Sequence, residues 1–320
     1  LIAARFLQRA AALTMTATAR TLLTLTSAAN LLQTVLFPLL AVRALGAGAE
    51  ADALFMVFVL VNVVGVLLAN SVLNWVTPRL VMRSGAASRR QLAWSLVWVL
   101  LLAVAALCAV LWLIAALAVA GREPADAYSL AAGILPLGLL AMLAAVVAAI
   151  AQCVFVAERD VLGGEWRSLL GSSVALAAWF AFAPATLAAC AALFMLRTLL
   201  VTVALLPRLG PPRALNAKDK DLRDILRESR LLLLAATWYK SEPFVDRLLF
   251  ASAPGGAVAA YHLASQVLGV VTQLAQRVLV APVIAPFAEA VQRADIVAMR
   301  RLIGGTLLRT LAVGVLVWVL

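Results

Sequence analysis

The sequence predicts an all-α, polytopic membrane protein with about eight full transmembrane helices and the start of a ninth. Three observations predict it. Hydrophobic residues make up 65% of the 320 residues and charged residues only 13%, far from the balance of a soluble domain. Apolar runs recur along the chain, and most reach the ~20 residues that a hydrocarbon core ~30 Å thick requires. The formal net charge of +11 is carried mainly by the short links between those runs. In that position it is a topology signal, and no nucleic-acid partner is expected.

Residues 1–20 carry Arg5, Arg9 and Arg20 among apolar residues and form an interfacial amphipathic lead-in. The first span, Thr21 to Leu45, holds Asn30, Gln33 and Pro38, residues a lipid-facing helix rarely needs; Pro38 is a candidate hinge. Gly46 to Asp52 reads as the turn that follows. The second span, Ala53 to Pro78, places Asn62, Asn70 and Asn74 on roughly one face, which should look inward. Spans three and four run from about Gln91 to Ala120 and from Ser129 to Ala157. After Glu158, Arg159 and Asp160, Gly163 and Gly164 read as a turn. The apolar stretch from Ser168 to Leu206 is too long for one span and splits at Pro184, with Arg197 near the middle of the second half. Residues 21–207 therefore make a six-helix N-terminal lobe. Residues 208–230 form a basic cytoplasmic linker, in which Lys218 to Arg230 suits a short surface helix. Such a linker suits anionic head groups, or serves only to hold topology. Residues 231–320 then supply part of a C-terminal lobe: a seventh span, an eighth from Ala257 to about Phe287 holding Arg277, and a ninth beginning near Gly304.

The seventh span is the most unusual. Leu231 to Ser252 is apolar at both ends yet carries Lys240, Glu242, Asp246 and Arg247, with Pro243 among them. A charge near the bilayer centre costs at least ~2.5 to 3.5 kcal/mol, so these side chains should face protein or water. Glu242 and Asp246 share one helix face, Lys240 and Arg247 another, and Pro243 favours a kink beside them. Broken, charged helices of this kind hold the sites of secondary transporters. The alternative is that the charges pair with one another and fix packing.

With a cytoplasmic N-terminus, the links on that side carry nineteen Lys or Arg against two, Arg43 and Arg122, on the other. Under the positive-inside rule that bias fixes the orientation. A shift of 204 residues superposes Arg43 on Arg247, Gly65 on Gly269 and Pro78 on Pro282, which is expected of two lobes related by a parallel pseudo-repeat.

Arg43, Gly46, Gly48, Asp52 and Phe55, followed by Asn62, resemble the first-to-second-helix signature of the lipid II flippase family, MurJ or MviN. Val245, Asp246, Arg247, Ala251 and Ser252, then a glycine turn and Tyr261, resemble the same family's seventh-to-eighth-helix signature. The resemblance implies two lobes around a central cavity, alternating access, and a place in the wider superfamily of multidrug and oligosaccharide-lipid exporters. On that pattern the chain holds one lobe and the start of a second, as if truncated at its C-terminus. The family's cavity arginines fall here on Leu31, Phe37, Gly65 and Gln266, while Asp52 is retained. The scaffold is thus implied more strongly than lipid II as the cargo.

The leading expectation is a flippase in the bacterial cytoplasmic membrane for a polyprenyl-diphosphate-linked saccharide, such as a peptidoglycan or polysaccharide precursor. Arg197, Lys240, Arg247, Arg277 and Asn62 are the candidate substrate-binding residues, because guanidinium and ammonium groups bind phosphate strongly in a low-dielectric cavity. Asp52, Glu242, Asp246 and Arg43 are the candidate coupling or gating residues for a cation or proton, with Pro38 and Pro243 as hinges. Alternatives are a cation-coupled multidrug antiporter using Glu242 and Asp246, and a non-transporting scaffold for cell-wall enzymes. A membrane enzyme is not expected: there is no Ser-His-acid arrangement, no ATP-coupling loop and no metal-ligand cluster, so neither metal nor cofactor is assigned. His262, the only histidine, reads as structural in preference to a proton relay. Cys108, Cys153 and Cys190 read as reduced core residues, and Trp75, Trp94 and Trp166 as interfacial anchors.

Overall fold

The computed structural model describes residues 17–119, 126–228, 246 and 255–319. Within them the chain is helical throughout, with no strand. The helices are α1 (Ala17–Leu45), α2 (Ala49–Met82), α3 (Ala86–Val119), α4 (Ala127–Ala157), α5 (Val161–Phe182) and α6 (Leu187–Leu209). Residues 220–228, the last described before 246, are also helical. Then come α7 (Ala257–Ala275), a π-helical turn (Gln276–Val280), α8 (Ala281–Gln292) and α9 (Ile296–Val319). Among the described residues five segments are long and apolar enough to cross a membrane: Thr18–Leu45, Ala86–Leu117, Ala127–Ala157, Leu187–Leu209 and Ala257–Gln292. The chain is a multi-pass helical membrane protein.

Local chemistry sets several boundaries. At Pro184 the split expected from the sequence is made by Ala183, a left-handed residue at φ 42° whose N–H reaches the Trp179 carbonyl. Thr186 then starts α6, its hydroxyl accepting from the Ala189 N–H at 3.3 Å. Gly163 and Gly164, expected as a turn, lie instead in the first turn of α5. Asp160 caps that turn, accepting from the Gly163 N–H at 3.2 Å, and a Cβ on Gly163 would come within 2.5 Å of the capping oxygen. A Cβ on Gly164 would lie 2.9 Å from the Gln152 amide oxygen of α4. Both glycines make room for neighbours and do not break the helix. The lead-in expected to end at residue 20 likewise gives way to α1 by Ala17, and Asp52 lies in the first turn of α2, not before it.

The core is built on α4, which packs against α2, α3, α5, α6 and α8. Its run of Ala and Gly lets neighbours close in: Gly138 faces the Val57 side chain of α2 so closely that a Cβ there would overlap it. Gly171 of α5 sits against the backbone of α6, where a Cβ would meet the Val201 nitrogen at 2.7 Å. Cys108, Cys153 and Cys190 are free and buried in this core. By contrast α3 bares Leu102, Val110, Leu113, Ile114 and Leu117, an outward face suited to lipid.

Ion pairs gather at one end. Arg79 meets Glu228 at 3.0 Å, and Arg83 bridges Asp219 and Asp221. Burial opposes the Arg83 charge, but hydrogen bonds and attraction from Asp219 and Asp221 outweigh it and hold its pKa above the ordinary arginine value. Arg208 pairs with Glu158 and Asp160, and Arg159 with Glu289. These contacts join the C-terminal ends of α4, α6 and α8 to one another, and the C-terminal end of α2 to the 219–228 segment that follows α6. Trp94, expected as an interfacial anchor, is buried and donates to the Leu209 carbonyl at 3.2 Å, while Trp166 is exposed. Being buried, the indole N–H of Trp94 needs an internal acceptor, and the Leu209 carbonyl supplies it.

Candidate functional site

A buried polar cluster joins α1, α5 and the π-turn. Glu165, 3% exposed, accepts from the Asn30 amide at 3.0 Å and from Arg277 at 3.0 Å. The Asn30 amide also reaches the Glu165 carbonyl at 3.2 Å. A buried carboxylate is costly unless paired and hydrogen-bonded, and here both conditions are met. The π-turn adds one residue to the helical repeat and so rotates Arg277 out of the register that α7 alone would set. Gln33, one turn after Asn30, donates to the Ser173 hydroxyl at 2.8 Å and holds α1 against α5 a second time.

Further along α1, Thr34 accepts from an Arg197 Nη of α6 at 2.8 Å while donating to the Asn30 carbonyl at 2.9 Å. Pro38 follows four residues later; its ring nitrogen has no hydrogen to give the Thr34 carbonyl, so that oxygen loses its usual helical donor. The Arg197 guanidinium lies 4.9 Å above the Phe37 ring, which packs edge-on against Trp179 and Phe194. Among the described residues no carboxylate pairs with Arg197, and its buried Nε has no hydrogen-bond partner. Arg277 is near enough for the two positive charges to repel. Thr34, Pro38, Phe58, Phe194, Arg197, His262 and Gln266 surround a cavity of about 40 Å³, space for a few water molecules and no more.

A second junction brings the start of α2 to the start of α7. Asp52, 4% exposed, accepts from the Gly256 N–H at 2.8 Å and from the Ala259 N–H at 2.9 Å. It caps the N-terminus of a different helix from its own. Gly256, at φ 93°, is pressed to within 2.8 Å of the Ala47 carbonyl as measured from a Cβ position, so only glycine fits. His262 is buried and stacks on Phe55 at 4.5 Å. Tyr261 donates to Asp246 at 2.6 Å. No family model matches the chain, and no curated protein matches it.

The residues expected from sequence are thus distributed unevenly. Arg197 lines the cavity with Pro38, and Arg277 lies near enough to Arg197 for their charges to interact. Asp52 and Asp246 hold helices through hydrogen bonds, and Arg43 is exposed in the last turn of α1, where it suits the negative helix end. Asn62 lies in α2, but its side chain is outside the described residues, as are Lys240, Glu242, Pro243 and Arg247. Glu165 was not singled out by its sequence context, nor were Thr34 and the π-turn. Among the described residues no three His, Cys, Asp or Glu side chains converge as a metal would require.

Proposed function

We propose that the chain supplies one lobe and part of a second in an alternating-access exporter of the lipid II flippase kind. Its cargo is an anionic lipid-linked saccharide, of the polyprenyl-diphosphate class, in the bacterial cytoplasmic membrane. The observation that carries the proposal is Arg197: a guanidinium at a cavity wall, without a carboxylate among the described residues and with an orphan N–H. A phosphate oxygen satisfies that donor and that charge together, and does so most strongly where water is scarce. Arg277 adds a second positive charge, balanced by Glu165 until an anion competes for it. The cavity as described is closed to such a cargo, which fits one state of a transporter that opens by rocking its lobes.

Several features support the finer reading. About eight full spans and the start of a ninth, with the parallel pseudo-repeat, agree with the Asp52–Gly256 contact, whose partners are 204 residues apart, the same shift that aligns the two halves. Residues related by a repeat axis meet where that axis passes. The helical run 257–292, 36 residues long, matches the 34 residues of α2. A cytoplasmic N-terminus places the ion-paired end at the cytoplasmic surface.

The test is flipping of a fluorescent polyprenyl-diphosphate disaccharide in vesicles holding the purified protein. Arg197→Gln and Arg277→Gln should each slow it by about tenfold or more, the loss of one charge-assisted contact. Wild-type rates in both variants would remove the anion site. Export of organic cations driven by an ion gradient, without flipping, would favour the antiporter.

A further inference from the structure

We propose that the groove where the 211–216 segment crosses α3 binds an anionic phospholipid, with its phosphate on Arg213 and an acyl chain along Trp98 and Leu102. The proposal does not depend on the transport function. The groove has a volume of about 390 Å³ and is lined by Trp98, Leu102, Pro212, Arg213, Ala214 and Leu215.

Its position is fixed by hydrogen bonds. Trp98 donates its indole N–H to the Arg213 carbonyl at 2.8 Å, and Gln91 donates to the Ala214 carbonyl at 2.7 Å. The Ser95 hydroxyl accepts from the Asn216 N–H at 3.1 Å. The segment is therefore strapped along the first turns of α3, and the helix face beyond it is bare. Leu102 is 66% exposed, and Val110, Leu113 and Leu117 continue that face down the candidate span. Trp98 itself keeps 40% of its surface free although its one polar atom is satisfied. An indole with its N–H engaged and its ring bare belongs at the level of lipid head groups.

Charge selects the sign of the lipid. The strap and the 220–228 helix contain both signs; of their four acids Asp219, Asp221 and Glu228 are taken by Arg79 and Arg83, which leaves Asp224 against four exposed basic residues. The helix buries Leu222 and Ile225 and leaves Lys218, Lys220, Arg223 and Arg227 exposed around it. Arg213 spends one Nη on the Ala87 carbonyl at 3.0 Å, and its planar fork carries further donors for a phosphate. A basic rim beside an apolar slot opening onto lipid recognises a negatively charged head group with its chain attached. Inorganic phosphate would gain the first contact without the second.

Native mass spectrometry of the full chain in detergent tests this with phosphatidylglycerol and phosphatidylcholine of identical chains. Phosphatidylglycerol should be retained about fivefold more, the effect of one basic contact at a membrane surface. Arg213→Gln should erase the preference. Leu215→Glu, at an exposed position that folding does not need, should erase it too by setting a negative charge in the slot. Millimolar inorganic phosphate should leave the lipid bound. Equal retention of the two lipids, an unchanged preference in Leu215→Glu, or displacement by inorganic phosphate would each overturn the proposal.

Discussion

Glu165 shows how much one buried side chain can organise. It lies 135 residues from Asn30 and 112 from Arg277, yet it accepts from both, tying α1 and the π-turn to α5. Glu165→Gln keeps the shape and removes the charge, leaving Arg277 without its counter-ion. Because Arg277 is about a third exposed, the loss should be about 1 to 3 kcal/mol, less than for a fully buried pair. Thermal unfolding in detergent measures it. The double variant with Arg277→Gln should recover part of that loss, since it removes the orphaned charge; additive losses would mean the pair is not coupled. Asp52→Ala should cost about 1 to 2 kcal/mol by uncapping α7, and Asp52→Asn clearly less, because one acceptor oxygen remains. Sequence made Arg197 and Arg277 legible as intramembrane charge, but not Glu165. Its neighbours Gly163 and Gly164 imitate a turn, which placed the carboxylate outside any helix. The glycines are there for the Asp160 cap and for Gln152, contacts that sequence order does not display.

The helices themselves were largely legible, because apolar length and Pro or Gly punctuation are local properties. Pro184 divides α5 from α6 through a left-handed Ala183 and a Thr186 cap, all within a few residues. The π-turn was not legible: Gln276 to Val280 has no composition that distinguishes it from α-helix. How closely two helices approach is equally hidden until packing is known, and two glycines separate the cases. Gly171→Ala should cost about 1 to 3 kcal/mol, since the new Cβ would press on the Leu200 carbonyl at 2.8 Å and on the Val201 nitrogen, and backbone cannot rotate aside. Gly133→Ala in α4 has nothing within 4 Å of the added carbon and should be stabilising by about 0.5 to 1 kcal/mol through helix propensity. Midpoints of unfolding for the two variants should therefore move in opposite directions. A raised midpoint in Gly171→Ala would show that the α5–α6 contact is not as tight as described, and a lowered one in Gly133→Ala that the α4 site is not open.

At the scale of the whole molecule, one end is clamped by ion pairs and the other is joined by backbone caps. Charged pairs at the clamped end link the ends of α4, α6 and α8, and tie α2 to the 219–228 segment, through long side chains, which adjust to small rotations. The opposite junction is made of main chain: the Gly48 turn lies against Gly255, with a Cβ at Gly255 only 3.7 Å from the Gly48 Cα, and Asp52 holds the α7 N-terminus. In the exporter we propose, one end must part while the other stays shut, and this glycine-lined junction is where its two lobes would separate. The spacing there suits a disulfide, whose Cα atoms stand roughly 4.4 to 6.8 Å apart. Gly48→Cys with Gly255→Cys, made with the three native cysteines replaced, should crosslink on oxidation. In vesicles the oxidised protein should then flip no lipid-linked saccharide, and a reductant should restore the rate, while either single cysteine transports in both conditions. Full transport by the crosslinked protein would show that this junction need not open, and the rocking motion would have to be sought elsewhere in the molecule.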